Sequence, residues 1–369
     1  MEPSNPSVVL YGPGDAKIEN RPEPSITDPT DAIVRIKFVG VCGSDVIKVH
    51  FWTNGGVGDN VVSASQPLVV GHEASGTIHA VGPAVSHLKP GDHVAIEPGQ
   101  PCRSCMRCKE GLYNLCQHMK FAACPPDSPE CLSKYFNIPA DFCYKLPPHV
   151  SLEEGVLAEP LAVAAHAVRM VGVQPGQSVV IFGSGTIGLA CGVVARLYGA
   201  RKIVAVDLAD EKLEFARGFN NVSTFKPDLN ATAEKNAMRL IQKNELGPGA
   251  DAAIEATGAE SSIATAVHVL RPGGSFVQTG LGKPVVNFPI LVMSEKELHV
   301  HGAFRYSAGD FKVAMDVLED GIAPMRSLIS RIFDFEHAPQ GWEATKQGQG
   351  IKKMIRGYGY KDPARMVNL

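Results

Sequence analysis

The chain contains 369 residues, of which 44% are hydrophobic, and it carries a formal net charge of -3 from 35 basic and 38 acidic residues. This length is enough to bury a large core and favours two domains over one. Because the charges nearly balance, the surface offers no basic footprint for a polyanion, and we expect no nucleic-acid partner.

The start of the chain is polar and proline-rich, and it lacks the charged and apolar regions of a secretory signal. No apolar run reaches the roughly 18 residues that suggest a membrane span. Nine cysteines are an odd number, and four of them lie in one short cluster, which in a reducing compartment indicates metal binding rather than disulfides. We therefore expect a cytoplasmic protein that makes no membrane contact.

The first part of the chain, up to about residue 150, has the pattern of strands joined by turns. The segment from Ala32 to Lys37 alternates with a period of two, and the pairs Gly82-Pro83 and Pro90-Gly91 are typical turn dipeptides. These features predict a β-rich first domain.

From about residue 177 the pattern changes to short β-branched runs that alternate with amphipathic stretches. This alternation implies a parallel sheet with right-handed crossovers, and hence an α/β domain. The segment after about residue 300 is too short to fold alone and is predicted to rejoin the first part, which gives one domain at 1–158 and 300–369 and another at 159–299. The predicted strands are Ser178 to Phe182, Lys202 to Asp207, Ala252 to Glu255 and Ser275 to Gln278, and the predicted helices are 186–199, 210–218, 231–245 and 260–270.

A dinucleotide-binding fingerprint follows the first of these strands, as Gly183-Ser184-Gly185-Thr186-Ile187-Gly188. Its glycines allow a tight turn and a close approach to pyrophosphate, and the start of the helix favours the phosphate charge. Asp207 ends the next strand, where a carboxylate accepts hydrogen bonds from ribose and repels a 2′-phosphate. NAD is therefore favoured over NADP, although the nearby base Lys212 would tolerate a phosphate. The alternative is a glycine turn that binds nothing.

A cluster of four thiols, Cys102, Cys105, Cys108 and Cys116, lies within one loop. Zinc takes four thiolates tetrahedrally with no open coordination position, so such a site fixes structure and binds no substrate. Four thiols would also fit an iron–sulfur cluster. A further alternative is that the four cysteines are incidental and bind no metal. We predict a structural zinc.

A second set of metal-ligand residues, Cys42, His72, Glu73 and Glu159, is spread along the chain. Alone, this Cys and this His also fit a structural histidine. Together with the fingerprint, these segments resemble the zinc-dependent medium-chain dehydrogenases over about residues 8–357. The chain is most similar to the polyol (sorbitol and xylitol) dehydrogenases, and among them to the fungal xylitol dehydrogenases. The segments that carry this resemblance are Ile96-Glu97-Pro98-Gly99, Tyr113-Asn114-Leu115-Cys116, Phe142-Cys143-Tyr144-Lys145-Leu146-Pro147, Glu159-Pro160-Leu161, Phe276-Val277-Gln278, Lys296-Glu297-Leu298 and Gly302-Ala303-Phe304-Arg305-Tyr306.

The resemblance implies a β-rich, GroES-like catalytic domain and a Rossmann-type cofactor domain with a doubly wound parallel sheet. It implies two zinc ions per subunit: a structural one on the four thiols and a catalytic one on Cys42, His72 and Glu73, with Glu159 on the metal or near it through a water molecule. It also implies a homotetramer.

The resemblance also gives roles to further residues. A polyol would contact Phe51, Glu159, Arg305 and Tyr306, and the proton of its hydroxyl would leave through Ser44, the cofactor ribose and His50. The residues implied in cofactor binding, besides the fingerprint, Asp207 and Lys212, are Thr257, Gly280, Leu281, Phe304 and Arg305. The sequence departs from the family pattern at Ile47-Lys48-Val49, which separate the Cys42 segment from His50-Phe51-Trp52. The pattern therefore does not predict the position of His50 or the loop up to about residue 66.

The expected activity is oxidation of a secondary hydroxyl of a sugar alcohol to the ketose by NAD, such as xylitol to D-xylulose or sorbitol to fructose. One alternative is an L-arabinitol 4-dehydrogenase, and another is a zinc alcohol, threonine or aldehyde dehydrogenase, whose pocket would lack the Arg305-Tyr306 pair. A third is a non-catalytic NAD-binding protein, which would be expected to lose Cys42 or His72.

Overall fold

The structure is a computed structural model, and it describes residues 4–46, 65, 67–124 and 131–361. The chain divides into two compact units, Met1–Glu159 with Leu328–Leu369, and Pro160–Ser327. Residues 300–327 lie with the second unit, whereas the sequence placed them with the first, because the strand His299–Gly302 pairs with the sheet of the second unit. His50 and Phe51 lie outside the described residues.

The first unit is built mainly from antiparallel strands. Its strands are β1 (Asn5–Gly12), β2 (Asp15–Arg21), β3 (Asp31–Val41), β4 (Leu68–Val69), β5 (Glu73–Val81), β6 (His93–Ile96), β7 (Gly99–Gln100), β8 (Lys120–Phe121), β9 (Tyr135–Pro139), β10 (Cys143–Lys145), β17 (Ile329–Phe333) and β18 (Lys352–Arg356). The largest sheet has the order β10-β6-β5-β3-β18-β17, with β9 also paired to β3; β2-β1-β4 form a second sheet, and β7 pairs with β8. The helices are α1 (Met106–Lys109), α2 (Leu152–Gly155), α3 (Ala158–Val171), which continues into the second unit, and α10 (Ala338–Lys346).

Strand β3 lies at the centre of the largest sheet. Its first half pairs with β9, its second half pairs with β18, and its other edge pairs with β5 along most of its length. Ile33, Val34 and Ile36 are all buried, so apolar side chains cover both faces of the strand. The period-two pattern therefore predicted the strand correctly, but it did not predict that both faces would be covered.

The second unit contains one parallel six-stranded sheet. Its strands are β11 (Ser178–Phe182), β12 (Lys202–Val206), β13 (Ser223–Phe225), β14 (Ala250–Glu255), β15 (Leu270–Gln278) and β16 (His299–Gly302), and its helices are α4 (Thr186–Leu197), α5 (Asp210–Asn220), α6 (Ala233–Lys243), α7 (Glu260–Val269), α8 (Ile290–Glu295) and α9 (Asp310–Glu319). The strand order is β13-β12-β11-β14-β15-β16, and every pairing is parallel. This is the doubly wound order, in which the direction of winding reverses between β11 and β14.

The four strands and four helices predicted for this unit are confirmed, with ends that move by a few residues. Two edge strands were not predicted. Strand β13 has three residues, and β16 contains two histidines and is largely exposed, so neither shows an apolar pattern. No described helix is long and apolar enough to cross a membrane.

Candidate active site

The ends of three neighbouring strands in the first unit bring together the mixed set of metal-ligand residues. Cys42 directly follows β3, and Glu73 opens β5 opposite Gly40 of β3. Lys352 opens β18, where its neighbour Lys353 pairs with Val41. The register of these pairings places a thiol, an imidazole, a carboxylate and an ammonium group near one another at the ends of these strands.

The candidate metal ligands form a compact and largely buried group. Ligand atoms of Cys42, His72 and Glu73 lie within 4.8 Å of one another. Asp45 supports two of them, since its carboxylate accepts a hydrogen bond from the backbone N–H of Cys42 at 3.1 Å and lies 3.2 Å from Nδ1 of His72. Asp45 therefore fixes both the turn after β3 and the orientation of the imidazole ring.

Lys352 is a buried cation beside this group. Its ammonium group forms an ion pair with Glu73 and donates a hydrogen bond to the carbonyl oxygen of Val41 at 3.3 Å. A side chain at Gly40 would overlap the carboxylate of Glu73 and crowd Lys352, so glycine leaves the space for this pair. Lys352 on β18 thus holds the carboxylate of Glu73 in place through this ion pair.

The electrostatics of the group fit a cation. Burial lowers the pKa of Lys352, but the charges of Glu73 and Cys42 outweigh it, so that the pKa lies above its usual value. Burial lowers the pKa of His72 as well, but the charge of Asp45 outweighs it, so that the pKa lies well above its usual value. Buried anionic groups are costly unless a cation compensates them, and metal ions compete with protons for such ligands. A thiolate, an imidazole and a carboxylate suit zinc and leave a fourth position open.

Glu159 lies beside this group rather than in it. Helix α2 begins at a capping box formed by Ser151 and Glu154, and α3 then begins at Ala158, which puts Glu159 in its first turn. The side chain is buried, and burial raises its pKa to about 7 against the opposite influence of His72. Among the described residues, the compact ligand group contains Cys42, His72 and Glu73 but not Glu159. Ser44 is half-buried, two residues after Cys42.

The four clustered cysteines also form a compact group, with sulfur atoms within 4.8 Å of one another. The sulfur of Cys108 lies 3.4 Å from that of Cys105 and 4.0 Å from that of Cys102. Zinc bonded at about 2.3 Å to four sulfurs would place them about 3.8 Å apart. The backbone N–H of Cys105 lowers the pKa of Cys102 to about 6, whereas burial raises the pKa of Cys108 to about 12. Such a set needs a cation to hold all four thiolates together.

The glycine fingerprint in the second unit has the geometry of a phosphate-binding turn. Gly183 has a φ of 100°, and a side chain at Gly188 would overlap the carbonyl oxygen of Gly183. Gly185 is the N-cap of α4, which begins at Thr186 and continues with Ile187. The first turn of this helix therefore directs backbone N–H groups to the carboxyl end of β11, where a pyrophosphate can bind.

Asp207 follows β12 beside this turn. Its carboxylate accepts hydrogen bonds from the backbone N–H groups of Ser184 at 2.8 Å and Ala209 at 3.0 Å. Lys212 lies half-buried in the first turn of α5. The acid is thus held at the fingerprint, where the sequence placed it.

The other predicted cofactor and substrate residues of the second unit lie in three loops at the carboxyl ends of strands. Thr257 follows β14, Gly280 and Leu281 follow β15, and the Phe304-Arg305-Tyr306 segment follows β16. Arg305 has a φ of 55°, which is unusual for a residue other than glycine, and its guanidinium lies 4.7 Å from the centre of the Phe304 ring. Tyr306 is buried and packs edge-on against Phe311.

Comparisons with known proteins agree with this arrangement. Residues 28–148 match the alcohol dehydrogenase GroES-like domain, and residues 186–320 match the zinc-binding dehydrogenase family. A probable D-xylulose reductase A of Aspergillus terreus is 50% identical over 357 residues, which cover 97% of this chain and 99% of the relative. The chain belongs to the zinc-binding alcohol dehydrogenases.

Further relatives support this assignment and the resemblance to the polyol branch. D-xylulose reductase A of Aspergillus niger is 48% identical and covers 96% of this chain and 97% of its own. The crystal structure of L-idonate 5-dehydrogenase from Escherichia coli has a TM-score of 0.84 at 26% identity and covers 96% of this chain and 99% of its own. An Escherichia coli oxidoreductase of unknown specificity has a TM-score of 0.86 at 30% identity, with coverages of 96% and 99%. The predicted family and fold class are confirmed.

Two residues of the candidate site have no role in the sequence-based prediction. Asp45 lies within the Cys42-Gly43-Ser44-Asp45 segment, and an acid three residues after a metal-binding cysteine is a signal that could have identified it. Lys352 had no such signal, because a Lys-Lys pair is typical of an exposed strand edge. Only the pairing of β18 with β3 brings Lys352 to the site.

Proposed function

We propose that this zinc-binding dehydrogenase oxidises xylitol to D-xylulose with NAD as the hydride acceptor, and that it catalyses the reverse reduction. The observation that carries the proposal is the compact, largely buried group of Cys42, His72 and Glu73, which offers three zinc ligands in a chain that also holds a dinucleotide fingerprint. The curated relatives that match nearly the whole chain at about half identity are D-xylulose reductases, and this supports the choice of polyol.

Cys42, His72 and Glu73 would hold the catalytic zinc, with Glu159 beside it. Zinc lowers the pKa of bound water from about 15.7 to about 7, and it would supply the same polarisation to a polyol hydroxyl. Asp45 keeps the imidazole in place, and Lys352 limits the movement of Glu73. The hydroxyl of Ser44 would accept the substrate proton while it passes its own proton to the cofactor ribose, and His50 would receive the proton from there. The four thiols of the cysteine loop would hold the structural zinc.

NAD would bind along the carboxyl edge of the parallel sheet. The fingerprint turn would take the pyrophosphate, and Asp207 would exchange its backbone partners for the ribose hydroxyls. A 2′-phosphate would meet this carboxylate, so NADP is disfavoured. Arg305, Tyr306 and Phe51 would contact the polyol; an arginine and a tyrosine suit a substrate with many hydroxyl groups and no charge.

We also propose a cytoplasmic homotetramer. Nine cysteines, four of them in one short cluster, fit a reducing compartment. The edge strand β16 and the region around α8 carry exposed apolar side chains, including Val285 at 82%, Ile290 at 62% and Val300 at 42% exposure, and an uncovered strand edge with such side chains favours association with another copy.

NADH formation on a panel of polyols tests the proposed activity. We expect xylitol to give the highest kcat/KM with NAD, followed by sorbitol, with little turnover when NADP replaces NAD. A clear preference for L-arabinitol would favour the 4-dehydrogenase alternative, and no turnover of any polyol would contradict the proposal. A preference for NADP would contradict the role of Asp207.

Replacement of Glu159 by Gln tests whether this carboxylate takes part in the reaction. If it relays a proton, kcat should fall by about a hundredfold, while the zinc content stays at two per chain. Glu153→Gln is the matched control, because Glu153 is another buried carboxylate, in α2, and lies outside the compact ligand group. Unchanged turnover of the Glu159 variant would remove this residue from the mechanism.

A further inference from the structure

Glu255 is a buried carboxylate at the carboxyl end of β14 that the proposed reaction does not use. Its side chain has no exposed surface. One carboxylate oxygen accepts hydrogen bonds from the backbone N–H of Thr257 at 2.9 Å and from the hydroxyl of Thr257, and the other accepts from the backbone N–H of Gly258 at 2.8 Å and from the side-chain amide of Gln278 at 2.7 Å. The described partners of this carboxylate are all neutral donors.

These bonds join two loops that follow neighbouring strands. Thr257 and Gly258 belong to the loop after β14, whereas Gln278 ends β15 opposite Glu255. The same Gln278 amide also donates to the carbonyl oxygen of Gly280 at 2.8 Å, and the backbone carbonyl of Glu255 accepts from the N–H groups of Thr279 and Gly280 at 2.8 Å each. Glu255 thus binds both loops through its side chain and its backbone.

The two loops are in direct backbone contact. A side chain at Gly280 would overlap the backbone nitrogens of Thr257 and Gly258, and one at Gly258 or Gly282 would overlap the backbone of the opposite loop. Three glycines therefore allow an approach that no other residue permits. Such a close contact requires that the two loops stay fixed relative to each other. The hydrogen bonds of Glu255 fix them in this way.

The place of these loops in the sheet assigns them to one half of the cofactor. In a doubly wound sheet a dinucleotide lies across the point where the strand order reverses, with one mononucleotide half on each side. The fingerprint and Asp207 lie on the side of β11 and β12, so the adenosine half belongs there. The loops after β14 and β15 consequently border the nicotinamide half.

We propose that Glu255 is a positioning residue for the nicotinamide half of NAD. Its carboxylate sets the conformation of the Thr257–Gly258 and Gln278–Leu281 loops without touching the cofactor. A buried carboxylate is costly to desolvate, and among the described residues the donors that stabilise this one are those that it orders. The proposal rests on the proposed NAD-dependent function.

Calorimetric titration of the zinc-loaded protein with NAD and with ADP-ribose, in the absence of polyol, tests this role. ADP-ribose lacks the nicotinamide ring, so it reports the adenosine half alone. We expect Glu255→Gln to weaken NAD binding by about tenfold and to change ADP-ribose binding by less than about twofold. The reason is that the amide NH2 group of glutamine would face hydrogen-bond donors of the two loops, which would then lack an acceptor.

Asp251→Asn is the matched control. Asp251 lies on the same strand at its amino end, where it accepts hydrogen bonds from Ser178 and Arg271. This variant should retain the wild-type affinity for both ligands even if its melting temperature falls. Equal weakening of NAD and ADP-ribose by Glu255→Gln, or unchanged affinity for both, would overturn the proposal.

A second variant covers the case in which Glu255→Gln does not fold. Gln278→Met keeps the carboxylate and removes the amide that bridges the two loops, so it should weaken NAD binding selectively and by a smaller factor. Unchanged NAD affinity in this variant would contradict the positioning role. A wild-type protein that binds NAD but oxidises no polyol would contradict the proposed substrate and leave the result for Glu255 unaffected.

Discussion

Replacement of Cys42 by Ser is expected to abolish polyol oxidation and to lower the zinc content from two ions to about one per chain. Cys42 supplies the sulfur of the compact ligand group at the end of β3. Loss of a metal that stabilises the transition state by several kcal/mol lowers kcat by at least about a thousandfold. Zinc analysis and NADH formation on the same preparation measure the two effects together.

Cys124→Ser is the control for this prediction, because Cys124 is a half-buried cysteine outside both clusters. It should keep two zinc ions and wild-type turnover. If Cys42→Ser retains both zinc ions and full activity, Cys42 is not a ligand of the catalytic metal.

Replacement of Cys108 by Ser is expected to unfold the cysteine loop and to remove the other zinc ion. Between β7 and β8 this loop contains little regular structure besides the four-residue helix α1 and a 3-10 turn at Tyr113–Leu115, and α1 buries none of its side chains. The binding energy of a structural zinc appears as folding energy and reaches about 10–16 kcal/mol in small zinc-binding peptides. Rapid hydrogen exchange over residues 101–119 should accompany the loss.

Ser104→Ala serves as the control in the same loop, since it removes the weak hydrogen bond from the Ser104 hydroxyl to the sulfur of Cys102 at 3.7 Å and keeps the backbone. This variant should keep slow exchange and two zinc ions. Slow exchange in the Cys108 variant would contradict a metal-dependent loop.

Local signals in the sequence were sufficient for the cofactor unit. The strand, the fingerprint and Asp207 lie within about thirty residues, and each needs only its neighbours in the chain to be interpreted. The structure places them as expected, with Gly188 against Gly183 and Asp207 hydrogen-bonded to Ser184.

Long-range pairing determines what the sequence did not reveal. Lys352 lies 311 residues from Val41, to whose carbonyl oxygen it donates, and no local pattern distinguishes it from an exposed lysine. Glu255 was predicted as the end of a strand, where an acid is usually solvated, and its partner Gln278 lies 23 residues away at the end of the next strand. The left-handed backbone of Arg305 likewise has no local signal in the sequence.

The two proposed metal sites would differ in whether a coordination position stays open: four thiols would close one site, whereas three ligands would leave a fourth position open at the other. Stepwise removal of zinc with a chelator, followed by zinc analysis, NADH formation from xylitol and circular dichroism, tests this contrast most directly. We expect activity to fall in proportion to the loss of one zinc per chain, the fold to persist, and added zinc to restore turnover. Full activity in protein that has lost both zinc ions would contradict this expectation.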